Sequence, residues 1–301
     1  MSSVLYDTPG PRAKRRYVLF SLGFAVLFAL FLWWIWQTMD DKGQLKWALW
    51  EPFTTSQAWT TYLLPGLVNT LKAAAISMVI ALPLGAVFGI ARLSDHRWVR
   101  GTAGTIVEFF RSIPVLLLML FANELYVRST DVSSEDRPLY AVVTGLVLYN
   151  ASVLAEIVRA GILSLPKGQS EAAMAVGLRK GQTMSSILLP QAVTAMLPAI
   201  VSQLVVIVKD TALGGVMLAY PELLNERSTL AANYANVVPS FIVVGIIFII
   251  LNFILTSFAS WLEARLRRSK KSTGAVLSED TVEVNPAAVR GGFGSGAGGG
   301  I

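Results

Sequence analysis

The sequence predicts an all-α polytopic membrane protein with six transmembrane helices. Of its 301 residues, 54% are hydrophobic and only 15% charged, whereas soluble domains carry about one quarter charged residues. Tyr17 to Trp36 runs 20 residues without a charge and Ala231 to Leu262 runs 32, and each can cross about 30 Å of hydrocarbon. Runs such as Phe241 to Leu251 are apolar on every side, which argues against the alternating strands of a membrane barrel.

In chain order, residues 1–16 are expected to be a basic cytoplasmic N-terminus, followed by an N-terminal anchor helix at 17–36. That anchor ends in Trp33, Trp34 and Trp36 rather than small residues, so it reads as retained and not as a cleaved signal peptide. Residues 37–61 form an extracytoplasmic loop. Five further spans are expected at about 63–91, 104–125, 139–161, 191–209 and 238–262. Residues 263–301 form a cytoplasmic tail, basic and then Gly-rich, whose composition predicts disorder because it has too little apolar surface to bury.

Orientation follows from the basic residues. With the N-terminus inside, the inner segments hold fifteen Lys and Arg, among them Arg92, Lys167, Arg179 and Lys180, against five in the outer segments. This bias places both termini in the cytoplasm. Trp98 and Trp261 then mark the inner boundary, and Trp47, Trp50 and Trp59 the outer one. The net charge of +6 and isoelectric point near 9.6 are accounted for by contact with the lipid bilayer and protein partners, with no role for nucleic acid.

Bond chemistry is poorly supplied. The chain has no cysteine and one histidine, His96, which excludes thiolate nucleophiles, cysteine-ligated metals and two-histidine metal motifs.

Between the fourth and fifth spans lies a long inner loop, 164–190. It reads as a short helix, a glycine break and a second helix. Ser164 is a candidate N-cap, Pro166 suits a first turn, Ala172, Ala173 and Ala175 favour helix, and Gly177 suits a left-handed C-terminal position. Ala172 and Ala173 leave an uncluttered face for another protein, with Arg179 and Lys180 as charge at its edge. Glu171-Ala172-Ala173, Gly177, Ile187 and Leu189-Pro190 match in full the E-A-A-x3-G-x9-I-x-L-P signature of binding-protein-dependent ABC importer permeases.

The resemblance extends outward. Gly66 to Lys72, Ala91-Arg92-Leu93-Ser94, Phe110 to Pro114, Ala155 to Ile162 and Lys209-Asp210-Thr211-Ala212-Leu213 resemble, in order, the segments of the polar amino-acid permeases, the histidine/glutamine/glutamate branch. Together they span about residues 62–262. Ser112-Ile113 stand where that branch more often has Gly-Thr, and Ala212 where it has Ser. Overall the sequence is most similar in impression to actinobacterial glutamate importer permeases.

The resemblance implies a type I ABC importer permease fold, with the anchor added to a five-helix core in the cytoplasmic membrane. It implies coupling through Glu171, Ala172, Ala173, Gly177, Arg179 and Lys180. The partners implied are two ATPase subunits, an extracytoplasmic amino-acid-binding protein and a second permease subunit in a heterodimer. The chain binds no cofactor under this reading, and ATP and Mg belong to the partner ATPase. In agreement, no G-x4-G-K-[ST] segment occurs; Gly177 to Gln182 lacks the spacing.

Charges inside spans cost about 2.5–3.5 kcal/mol at a helix centre, so each needs a reason. Lys72 can snorkel, and Glu108, Arg111, Glu124 and Arg159 lie near helix ends. Glu156 and Arg159, three apart, suit either an intrahelical pair or the pore. Lys209 and Asp210, followed by Thr211, Gly214 and Gly215, suggest broken helix lining a wet cavity. They are the leading candidates for the substrate path, with Asn150 and Ser152 as added hydrogen-bonding groups; the alternative is an interhelical ion pair. Gly85 and Gly89 suggest close helix packing, within the chain or across subunits. An ion-gradient-driven secondary transporter is the alternative function, and would leave the E-A-A loop without a role.

Overall fold

The structure is a computed structural model and describes residues 10–271. Nine helices organise these residues. They are α1 (Pro11–Asp41), α2 (Ser56–Ala91), α3 (Arg97–Ser112), α4 (Val115–Ser129), α5 (Arg137–Leu163), α6 (Lys167–Ala175), α7 (Lys180–Leu218), α8 (Leu223–Tyr234) and α9 (Val237–Lys271). Helices α1, α2, α5, α7 and the first part of α9 are each long and apolar enough to span a membrane, and α3 with α4 makes a sixth span if the bent pair is counted together.

That pair corrects the straight span expected at 104–125. Helices α3 and α4 meet at 98°. Ile113 is extended, with φ −90° and ψ 130°, because the ring of Pro114 pushes its predecessor out of the helical region and removes an N–H. The Ser112 hydroxyl turns back to the Glu108 carbonyl at 2.6 Å.

Helix α5 occupies the centre, with α2, α4 and α7 against it. Since lipid is as apolar as leucine, such helices associate through close contact more than through hydrophobic transfer. Glycines supply the closeness. A Cβ on Gly85 would stand 2.6 Å from Leu154 Cβ, and one on Gly89 2.7 Å from the Ala155 carbonyl oxygen. The Gly85/Gly89 pair thus packs within the chain, α2 on α5. Gly145 of α5 receives Met119 of α4 in the same way.

Three other boundaries differ from expectation. Helix α1 begins at Pro11 and outruns the anchor expected at 17–36; none of its residues is buried. The loop expected at 37–61 contains helical turns at Trp47–Trp50 and Glu51–Thr54, pinned by Trp50 Nε1 to the Gln44 carbonyl at 3.0 Å and Trp59 Nε1 to the Phe53 carbonyl at 2.8 Å. At the other terminus α9 continues to Lys271, so the tail expected from 263 begins as helix. The Gly-rich stretch and residues 1–9 lie outside the described residues.

The fifth span is also longer. Helix α7 runs unbroken through Lys209 and Asp210 to Leu218, which corrects the broken helix expected there. Gly214 and Gly215 are close-contact positions instead: a Cβ would collide with the Val142 side chain at the first and the Glu222 carboxylate at the second. The helix stops at Ala219, which takes the left-handed conformation with φ 53°.

Candidate functional site: the coupling segment

At one end of the bundle, residues 164–190 form the helix, glycine break and helix expected from the sequence. Helix α6 starts behind Pro166 and makes no side-chain cap. Ser164 is not its N-cap, as expected, but ends α5, with its hydroxyl on the Gly161 carbonyl at 2.8 Å. The close of α6 is sharper. Gly177 has φ +83°, its N–H donates to the Met174 carbonyl at 2.9 Å, and the Leu178 N–H donates to the Ala173 carbonyl at 3.1 Å. This is a Schellman closure, which satisfies two carbonyls that the helix leaves free. Open space surrounds the missing Cβ, so backbone conformation and not crowding selects glycine.

The second helix begins at Lys180. The Gln182 side chain accepts the Arg179 N–H at 2.9 Å, and residues Thr183–Leu188 widen into a π turn just before Pro190. A proline lacks the N–H for the preceding turn, and the wider turn accommodates its ring. Residues Trp59–Leu63 do the same ahead of Pro65 in α2.

The two alanines of the signature face different ways. Ala173 is buried against the chain, while Glu171 and Ala172 are exposed. The exposed positions of the segment therefore include Glu171, Ala172, Met174 and Val176, the last two 57% and 77% exposed, with Met174 also lining the groove toward Leu93 and Asp95. An apolar pair this exposed at the close of a nine-residue helix, with Val176 as its C-cap, offers a protein partner a small hydrophobic anchor. The sequence reading missed Met174 and Val176; their signal is that apolar residues there exceed what the one buried position, Ala173, can use.

Lys180 reaches across to a neighbouring turn. Its Nζ donates to the Leu93 carbonyl at 3.2 Å and pairs with the Asp95 carboxylate, both in the turn between α2 and α3. The ammonium beside Asp95 holds its carboxyl below the ordinary range, first through their hydrogen bond and then through its charge. Arg179 remains exposed at the edge of the segment.

Above this turn lies a charge cluster. Glu156 of α5 pairs with Arg92 at the end of α2, lies 3.6 Å from Arg159 and reaches Arg111 of α3 at 3.9 Å. Arg92 also contacts Glu108 at 3.2 Å, and Glu108 contacts Arg111 at 2.9 Å. The intrahelical pair of Glu156 and Arg159 is present but is the weaker part. Arg92, 13% exposed against 40% for Arg159, is the better-shielded partner. Sequence reasoning missed it because the two are 64 positions apart.

The remaining path candidates do not converge. Asn150 is wholly buried, donates to the Leu146 carbonyl at 2.8 Å and accepts from Gln203 of α7 at 2.5 Å. Ser152 and Thr211 are buried and bond their own helices, through the Leu148 carbonyl at 3.0 Å and the Val208 carbonyl at 2.8 Å. Asp210 is half-buried. Lys209 is exposed and stands between two grooves of about 320 and 360 Å³ along α7 and α9, lined among others by Ser202, Asn252 and Thr256. The ion pairs among the described residues include neither Lys209 nor Asp210.

The described residues thus form a bundle of long apolar helices with a short helix, closed at Gly177, at one end. The chain belongs to the family of binding-protein-dependent transport system inner membrane components, whose profile matches residues 81–268. It is 47% identical over 243 residues to the glutamate transport system permease protein GluD of Corynebacterium glutamicum, covering 80% of this chain and 89% of that one. It is 31% identical over 213 residues to the probable glutamine ABC transporter permease protein GlnP of Bacillus subtilis, covering 70% and 96%. Among solved structures, an amino acid ABC transporter crystallised with histidines matches with a TM-score of 0.63 at 24% identity, over 69% of this chain and 95% of that one. The inward-facing MetNI methionine ABC transporter matches with a TM-score of 0.58 at 22% identity, over 70% and 99%. The last two likenesses carry the fold alone. The protein is thus a multi-pass permease component of a binding-protein-dependent importer, as the E-A-A signature implied.

Proposed function

We propose that this chain is a permease subunit of an ATP-driven importer for a polar amino acid, with glutamate the favoured substrate. It supplies part of the translocation path, in a heterodimer with a second permease, and takes its energy from two separate ATPase subunits that hold ATP and Mg. An extracytoplasmic binding protein delivers the substrate. Both termini are cytoplasmic under this reading, as the positive-inside bias supports, and so is the end carrying α6. The observation that carries the proposal is the form of α6, a helix closed at Gly177 that leaves Glu171, Ala172, Met174 and Val176 exposed. Nucleotide-driven closure of the ATPase pair would move α6 and, through α5 and α7, the path. Lys209 and Asp210 belong to that path; exposed Lys209, which needs cover at membrane depth, supports this most directly.

Reconstitution tests the assignment. Uptake of radiolabelled glutamate is expected only with the ATPase subunits, the binding protein and ATP, and Lys209→Ala or Asp210→Ala should lower it at limiting substrate. Uptake by this chain alone under an ion gradient would instead establish a secondary transporter. Normal uptake by both alanine variants would remove the two charges from the path.

A further inference from the structure

The turn between α2 and α3 is not packed against the coupling helix. A cavity of about 530 Å³, lined by Leu93, Asp95, Met174, Lys180, Thr183 and Met184 among others, separates them. Lys180, the first residue of α7, bridges its rim by holding both the Leu93 carbonyl and the Asp95 carboxylate. Directly before Leu93 comes Arg92, seated between Glu156 of α5 and Glu108 of α3. Glu108 and its partner Arg111 lie in the last turn of α3, beside the 98° elbow with α4.

A continuous set of polar contacts therefore runs from the coupling segment to a bend inside the bundle. We propose that the turn at residues 92–96 is a second limb of the coupling apparatus: Lys180 clips it to the coupling segment, and Arg92 passes its displacement to the elbow of α3 and α4. The proposal rests on the reading that α6 docks an ATPase. Its physical logic is directional. Lys180 and Asp95 are 54% and 75% exposed, and such exposed pairs add little to stability. Their contribution is positional, since an ammonium held at once by a main-chain carbonyl and a carboxylate ties two backbones in one register. Arg92, at 13% exposed, cannot leave both glutamates without stranding charge, so the clusters on α3 and α5 follow the turn.

The experiment uses the complete complex, purified through its ATPase and reconstituted with the binding protein. Asp95→Asn and Lys180→Gln are compared with wild type and with the exchanged pair Asp95→Lys/Lys180→Asp. The readouts are ATPase retention, thermal midpoint, and radiolabelled glutamate taken up per ATP hydrolysed. The single variants should retain the ATPase and the midpoint while uptake per ATP falls by about fivefold or more, a modest coupling energy between sites. The exchanged pair restores the ion pair but not the donation to the Leu93 carbonyl, so it should recover only part of the loss. An unchanged ratio in the single variants overturns the clip. Loss of the ATPase from the single variants alone also overturns it, because Asp95 and Lys180 would then belong to the docking contact. If wild type itself fails to retain an ATPase, the reading of α6 falls first. Should Asp95→Asn not fold, Asp95→Glu keeps the charge and should couple normally; failure to do so with an intact midpoint also counts against the clip.

Discussion

Gly177 shows how one residue ends a working helix. Its φ of +83° with open space around it predicts that Gly177→Val costs about 1–2 kcal/mol locally, the left-handed penalty of an L-residue. Helix α6 should fray and its outward face lose definition. Uptake should fall while membrane insertion is kept, and Gly177→Asn should be milder, as asparagine tolerates this conformation. Uptake and insertion assays on the two variants check this. The position was legible in the sequence because a glycine after a run of alanines has few other meanings. The facing of Ala172 and Ala173 was not legible, since both are small and only the packing beneath α6 buries one.

Glu222 is a residue the sequence did not single out. Wholly buried between α7 and α8, it caps α8 by accepting from Leu224 N–H at 2.8 Å and Asn225 N–H at 2.7 Å. Burial pushes its carboxyl up to about 7, against the opposing pull of those two N–H groups. The folded pKa lies above the unfolded value, so the folded state binds the proton more tightly. The associated stability is complete below about pH 4.5 and is lost as pH rises through about 7. The thermal midpoint of the solubilised protein should fall between about pH 5 and 8, and Glu222→Gln should flatten that slope.

At the scale of elements, glycines set the helix spacing. Gly85→Val would drive a side chain into Leu154 and the Ala151 carbonyl, and overpacking of this kind costs about 1–3 kcal/mol. Gly101→Ala in α3, with nothing within 4 Å, should be neutral or slightly stabilising, as alanine is the better helix former. Thermal unfolding of both variants separates a packing role from a general sensitivity to glycine loss. The four-residue spacing of Gly85 and Gly89 announced close packing, but not its partner. Likewise Pro114 was visible, yet whether it kinks or breaks a span depends on what receives α4, here Gly145 beneath Met119.

For the whole molecule, α1 stands apart. None of its residues is buried, so removing Pro11–Asp41 should leave the thermal midpoint of the remaining bundle unchanged, and retention of the ATPase as well. A lower midpoint would show that α1 braces the bundle.

The sequence by itself determined the helical class, where the long apolar helices lie and the helix, glycine break and helix of residues 164–190, because these depend on composition along a single helix and on a local spacing. Only the tertiary structure decided that α7 runs unbroken past Lys209, that Arg92 holds Glu156, and that Lys180 pairs with Asp95. The last two are contacts between residues 64 and 85 positions apart. A run of sequence records which side chains could pair, but the pairing is decided by which helices pack side by side.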